Sequence, residues 1–458
     1  MDSVPLGGGA MVGLQLARHW ATIPGLRLTV LGSGPIAPAD GIDYVQLAAP
    51  KKELVRLSEM GYARFCGEFA SAAIHYLQLH RSSLPPKDTC IILNDISEGP
   101  DVGELTSMGY SVVSIWHVDV VDFFNKMYLH GLVKAERLTR TFDRLQSLGL
   151  SPAVPRVLRL VFEKQRQAVA HSKLLVLPSS EMARMAQQCY EHLFESVLPG
   201  GSSDFWSKRI LVLPWGGWSE NIPEDEIERD AAALRKRYRI NPETRVLMTL
   251  SRISPGKGHL LLLEALRLLE QRSDRPEDLC LFICGEPAFM RSAIYTRQVR
   301  AAAERLKSFR VFFPGYLCPR KKQAYFRVSE LFVSPSVHES YGLSIVEALR
   351  AGLPILASDH SGAEEMLAPE FSRVVPYHGQ AGGWMSLSGW KGDIPSRLAD
   401  HLMDLLADPQ RLKIMGQAAR RAGESMSFAS AAQRLVSAAL VLLGDNQEAV
   451  ASGVYSRS

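Results

Sequence analysis

The sequence predicts an α/β fold built from two doubly wound, parallel-sheet domains. Three observations carry this. Short apolar runs that end in Gly, Pro, Ser, Asn or Asp alternate with helix-patterned stretches along most of the chain. The 458 residues, 46% hydrophobic and 22% charged, suffice for two or three globular domains, each with its own core. Polar and charged residues (Asn94, Asp95, His117, Arg252, Glu339) stand at or just after the ends of the apolar runs. Ligands of such sheets bind at the carboxyl ends of the strands.

The first half contains LRLTVLG, CIILND, YSVVSIWH, LLVLPSS and RILVLPWGG as strands, separated by helical regions such as Met11 to Ala21 and Tyr62 to His80. Parallel strands need such crossovers, which cover both faces of the sheet. Gly7, Gly8 and Gly9 precede the first helical stretch, where glycines permit either close approach to a ligand or merely a tight turn. Only a short run containing Pro5 comes before them, so either the first strand is unusually short or the start of the sequence is late. His117 closes an apolar run. A lone histidine is more often structural, but this one and its neighbours Asp119 and Asp122 fall on the ligand side of the expected sheet. Phe123 to Leu148 reads as one basic amphipathic helix bearing Lys126, Lys134, Arg137, Arg140 and Arg144. Such a helix can rest weakly on an anionic membrane surface, although most pack on a core and solvate the other face.

LPWGG at Leu213 to Gly217 ends the first half, and the polar stretch from Ser219 leads to the second. The expected domains are residues 1–218, residues 219–430, and a crossover helix with tail over 431–458, the tail loose after Gly444. TRVLMTLSRISPGKGHLLLLEALRLL is strand, loop, helix: Arg252 follows the strand, and Lys257 sits at the helix start between Gly256 and Gly258. Two cations beside free N–H groups at a helix N-terminus suit a diphosphate, although no Walker A loop is present. LCLFICGE ends at Gly285 and Glu286, and FRVFFPGYL ends at Gly315, Tyr316 and Leu317.

Leu331 to Leu367 reads strand, loop, helix, strand, loop, helix. Glu339 lies in its first loop. Gly342 and Leu343 open the helix, and Glu347 lies one turn in, leaning back toward the helix start. Two arbitrary glutamates would more often be solvated side chains. Residues 376–392 are rich in Gly and Trp without period and read as an insertion. The six cysteines are scattered without a CxxC pair, which points to a reducing compartment without structural disulfide or zinc site. A net charge of +4 is too small to argue for nucleic acid. No apolar run of about 18 residues and no signal-peptide pattern occur, so a cytoplasmic protein is expected.

The run E-S-Y-G-L-S-I-V-E followed by A-L-R-A-G-L-P resembles the E-x7-E signature of family 4 retaining glycosyltransferases, whose fold is GT-B: two Rossmann-like domains facing a cleft. R-I-S-P-G-K-G is similar to the family's R-x-x-x-x-K-G motif, and the Gly-rich loop and strand-end histidine come in the family's order. The resemblance implies transfer of a hexose-type sugar from a nucleotide-diphosphate sugar to an unidentified acceptor, with no cofactor and no metal. It implies Arg252 and Lys257 on the diphosphate, Glu339 and His117 at the donor sugar, and Glu347 on the ribose. Gly285, Tyr316, Leu317, Gly342 and Leu343 fall beside the nucleotide, and Gly8 and Gly9 in the glycine loop. The alternatives are a GT-B phosphorylase, a nucleotide-sugar epimerase, or a non-catalytic nucleotide-sugar-binding subunit. Donor base, acceptor and oligomeric state are not fixed by these residues.

Overall fold

The computed structural model describes residues 7–47, 59–128, 133–194, 203–287, 292–360, 362–376 and 393–451. Its contacts divide the chain into two compact units, one of residues 1–214 with 429–458 and the other of residues 215–428.

In the first unit, β1 (Thr29–Gly32) pairs with β2 (Asp43–Gln46), and β3 (Cys90–Leu93), β4 (Ser111–Ile115), β5 (Leu174–Leu177) and β6 (Ile210–Val212) form a parallel sheet in that order. The expected strands are therefore present, and β2 is an addition: its alternation is short and its outer residues are exposed. The expected strand before Gly7 lies outside the described residues. Both faces of β4 and β5 are buried, which explains their uninterrupted apolar sequences. Val112, Leu175 and Leu177 share one core with Leu105, Phe142, Phe162 and Ala168 from the surrounding helices.

Phe123 to Leu148 is not one helix. Helices span Val120–Tyr128 and Ala135–Ser147, and residues 129–132 between them lie outside the described residues. The second helix starts afresh because Lys134 is extended and the Asn125 side chain donates to Val133 O. It buries Ala135, Thr139 and Phe142 in the unit's core and exposes Arg137, Arg140 and Arg144. The last helix, Phe428–Ala451, continues past Gly444, where a loose tail was expected; an isolated glycine costs a helix only about 1 kcal/mol. It is tied into the first unit by the buried Trp20 indole N–H, which donates to Ala432 O at 3.0 Å.

The second unit holds six parallel strands: β7 (Arg245–Leu250), β8 (Leu279–Cys284), β9 (Arg310–Gly315), β10 (Leu331–Ser334), β11 (Ile355–Ser358) and β12 (Ser372–Val375). Their order is β12-β11-β10-β7-β8-β9. The first and fourth strands of this unit are thus neighbours, and the winding reverses between them. Helices cover both faces. Leu247, Leu281, Ile283, Leu331 and Leu356 pack with helices His259–Leu269 and Ile394–Leu406. On the other face Phe282 meets the edges of Tyr238 and Tyr325 from helices Glu224–Tyr238 and Pro319–Val328. The proposed insertion over 376–392 falls outside the described residues except for Pro376. Among the described residues no helix is long and apolar enough to cross a membrane, and the six cysteines are free thiols.

The entry and exit of the second unit are laced together. Gly217 N donates to Met426 O at 3.0 Å, and Phe428 N donates to Gly217 O at 3.2 Å. A Cβ on Gly216 would lie 2.2 Å from the Ser427 backbone carbon. Gly216→Ala is therefore expected to push these strands apart and cost about 1–3 kcal/mol, measured as a lowered urea midpoint followed by tryptophan fluorescence; an unchanged midpoint contradicts the close approach.

Candidate functional site

The second unit's reversal point lies between β7 and β10, so the loops after these two strands open side by side at the carboxyl edge of the sheet. They interlock through the backbone. Gly256 O accepts from Val337 N at 2.9 Å and from His338 N at 3.3 Å. Gly258 has a φ of +66°, and a Cβ there would sit 1.8 Å from Pro335 O. Only glycine can take both the left-handed conformation and that approach. β11 adds to the frame, because the Ser358 hydroxyl donates to Ser336 O.

This frame fixes Lys257 at the end of a short 3-10 turn, Pro255–Lys257, immediately before helix His259–Leu269. Glu339 comes from the loop after β10, and the Lys257 ammonium donates to its carboxylate. The side chains are 13% and 21% exposed, so the pair is largely withdrawn from water but reachable from one side. Burial pushes the Glu339 carboxyl up, but Lys257, His360 and His338 together outweigh it and hold its pKa below the ordinary value. Arg252 lies in the same field: burial lowers its pKa, and Glu339 opposes that. His259, fully buried behind Lys257 and 3.2 Å from the Ser251 hydroxyl, is pushed down to about 3 by burial and by Lys257. It is a neutral support at physiological pH.

Gly342 caps helix Leu343–Arg350 in a left-handed conformation with φ +101°, and its carbonyl accepts from Ile345 N and Val346 N. The N–H groups at the start of this helix have no intrahelical acceptor by geometry. Glu347, one turn in, is engaged by a residue that no motif marks: Lys322 donates to its Oε1 at 2.6 Å. Gly285 and Tyr316 meet at Glu286, whose Oε1 accepts from Tyr316 N at 3.5 Å, while Gly285 N donates to Gly315 O at 2.9 Å. Leu317 is buried and Tyr316 is 48% exposed at the end of β9. Thus Arg252, Lys257 and Glu339 form one electrostatic cluster, Glu347 belongs to a second with Lys322, and Gly285, Tyr316 and Leu317 line adjacent strand ends. Among the described residues no group of three or more His, Cys, Asp or Glu gathers to hold a metal.

In the first unit Gly8 and Gly9 are not in a loop but are the first residues of helix Gly8–Trp20, with Gly7 as the cap at φ +124°. At Gly9 the missing side chain serves close packing: a Cβ there would meet the His117 ring at 2.7 Å. Asn94 joins them, donating to Gly9 O at 3.1 Å and lying 3.1 Å from His117 Nε2. Burial lowers the His117 pKa, and Asp95 opposes this. Asp119 points elsewhere. It caps helix Val120–Tyr128 by accepting from Asp122 N at 2.9 Å, accepts from Gln165 as well, and is pushed up to about 6 by burial and by Asp122.

Next to Asp95, Glu98 accepts from the Tyr62 hydroxyl at 3.0 Å and is pushed up to about 7, first by burial and then by Asp95. No sequence motif marked it. A folded-state pKa above the unfolded one means that Glu98 favours folding at low pH and loses that contribution as pH rises from about 4.3 through about 7. Glu98→Gln is therefore expected to flatten the pH dependence of thermal stability between pH 5 and 8; an unaltered profile contradicts this placement.

Residues 230–422 match the family described as Glycosyl transferases group 1. The chain is similar to D-inositol 3-phosphate glycosyltransferase of Nocardia farcinica, 27% identical over 276 residues, which is 59% of this chain and 53% of that protein. It spans between about a third and about half of the length of the curated relatives first matched, 38%, 53% and 34%. Among solved structures it is similar to sucrose-phosphate synthase from Thermosynechococcus elongatus, with a TM-score of 0.65, 16% identity, and coverage of 96% of this chain and 94% of that one. It is also similar to HepE of Anabaena in complex with UDP and glucose, with a TM-score of 0.61, 16% identity, and coverage of 96% and 98%. The chain thus has the GT-B fold, and its residues 230–422 match the Glycosyl transferases group 1 family.

Proposed function

We propose that this protein is a retaining glycosyltransferase of the GT4 type that moves a hexose-type sugar from a nucleotide-diphosphate sugar to an acceptor. The observation that carries the reading is the junction of Arg252, Lys257 and Glu339 where the loops after β7 and β10 interlock. Fixed cations and a carboxylate side by side match the two ends of an activated sugar: an anionic leaving group and a ring that becomes cationic.

In this reading Arg252, Lys257 and the N–H groups of Gly342 and Leu343 take the charge that develops on the departing diphosphate. These cations supply what a metal would otherwise supply. Glu339 lies at the sugar and stabilises its oxocarbenium character. The bond from the anomeric carbon to the diphosphate oxygen breaks as the acceptor hydroxyl bonds to the same face of that carbon. The acceptor proton passes to the leaving phosphate oxygen, so no separate base is required. Glu347 accepts from the ribose hydroxyls, and Gly285, Tyr316 and Leu317 lie beside the base. We assign the acceptor side to the first unit, with Gly8, Gly9 and His117. The low His117 pKa supports a neutral imidazole there. HepE was solved with UDP and glucose, which makes uridine nucleotides the first donors to test, followed by GDP- and ADP-sugars. The free thiols and the use of a nucleotide sugar support a cytoplasmic location.

Lys257→Ala is expected to lower transfer by about a hundredfold or more while circular dichroism stays unchanged; near-normal turnover removes the diphosphate role. Glu347→Ala is expected to weaken nucleotide binding about tenfold by calorimetry, and unchanged affinity removes the ribose role. Proton NMR of the first product formed should show the donor's anomeric configuration; an inverted linkage contradicts the mechanism.

A further inference from the structure

Lys322 is a buried ammonium held between two carboxylates. It stands on helix Pro319–Val328, and its side chain is 11% exposed. Its Nζ donates to Glu347 Oε1 at 2.6 Å and lies 3.5 Å from Glu220 Oε1. Glu220 is itself oriented by the Trp218 indole N–H, which donates to the same oxygen at 3.3 Å. Its second oxygen, Oε2, is buried and has no hydrogen-bond partner. Tyr316, just after β9, lies in the electrostatic field of this trio.

Two carboxylates from two other segments thus converge on one cation. Burying an ammonium is costly unless it is paired, and losing one member of a buried set leaves the others uncompensated. Burial pulls the Lys322 ammonium down, but Glu347 and Glu220 outweigh it and leave its pKa above the usual lysine value. Burial first, reinforced by Glu220, leaves the Glu347 pKa above its ordinary value, although Lys322 opposes the rise. Lys322 is therefore the one group in the trio that favours an ionised Glu347.

We propose that Lys322 is a positioning residue for nucleotide recognition: with Glu220 and Trp218 behind it, it pairs with Glu347 and holds that side chain in one orientation toward the ribose hydroxyls. This rests on the assignment of Glu347 to the ribose. A carboxylate accepts at two oxygens with about four lone-pair sites, so Lys322 on Oε1 leaves Oε2 open to the diol. Lys322 thus sets how Glu347 is presented without touching the ligand itself.

The test is calorimetric titration of the full-length protein with UDP, GDP and ADP, and then with the 2′-deoxy and 3′-deoxy analogues of whichever binds most tightly. The readout is the ratio of ribo to deoxy affinity, which general loosening of the fold does not move. In the unaltered protein the ribonucleotide is expected to bind about tenfold or more tightly. Lys322→Met is expected to collapse that ratio toward one, as Glu347→Ala does, and Lys322→Arg to retain most of it. Lys322→Gln, close in size and still a donor, serves as the second variant if Lys322→Met does not fold, with the same expected collapse. A wild-type ratio in Lys322→Met or Lys322→Gln, with Glu347→Ala collapsed, overturns the role of Lys322 and leaves the ribose assignment standing. A wild-type ratio in Glu347→Ala overturns the ribose assignment and the inference with it.

Discussion

The second unit's chemistry depends on one backbone contact: the turn after β7 pressed against the loop after β10. Gly256 O takes two N–H groups from Val337 and His338, and Gly258 leaves room for the Pro335 carbonyl that no side chain could share. Without this interlock Lys257 and Glu339, 82 positions apart in the chain, would have no reason to meet. Strand order makes it inevitable that the two loops are neighbours, because the winding reverses between β7 and β10. The glycines then convert neighbours into a fixed geometry.

Fixing the geometry has electrostatic consequences. Lys257 pairs with Glu339, and its charge adds to burial in keeping His259 neutral. Glu339 is kept ionised in a largely buried place by surrounding cationic and imidazole groups. At Glu347 the balance goes the other way: burial first, with Glu220, outweighs the single buried lysine and leaves the carboxyl pKa above its ordinary value. Both carboxylates of the E-x7-E run are thus paired with a lysine, one from the turn after β7 and the other from helix Pro319–Val328. An ion pair preformed in this way limits how far the fold must reorganise when an anionic ligand competes for the lysine.

Much of this was legible in the sequence because it is local. Apolar runs bounded by Gly, Pro and Ser gave β7, β8, β10 and β11, and the spacing from Arg252 to Lys257 and from Glu339 to Glu347 is set within single loop-helix units. What was not legible depends on tertiary placement. Lys322 stands beside Lys321 in a basic run that reads as solvated surface, and only the packing of its helix shows that one of the two is buried. Glu98 carries no motif, and its raised pKa follows from Tyr62 and Asp95 in other segments. The split of Phe123 to Leu148 was hidden because its hydrophobic pattern continues across the break, whereas the extended backbone at Lys134 does not. The resemblance puts Gly8 and Gly9 in a glycine-rich loop, yet they open the helix; in its first turn the cost of glycine is small, and the space at Gly9 is used by the His117 ring.

The central claim is that Lys257 and Glu339 act on one donor as a unit. A double-mutant cycle tests it most directly: donor binding by the unaltered protein, Lys257→Ala, Glu339→Ala and the double variant, measured by calorimetry with the same nucleotide sugar. The account predicts a coupling of about 1 kcal/mol or more between the two positions. Effects that simply add would show that the two side chains serve separate purposes and would contradict it.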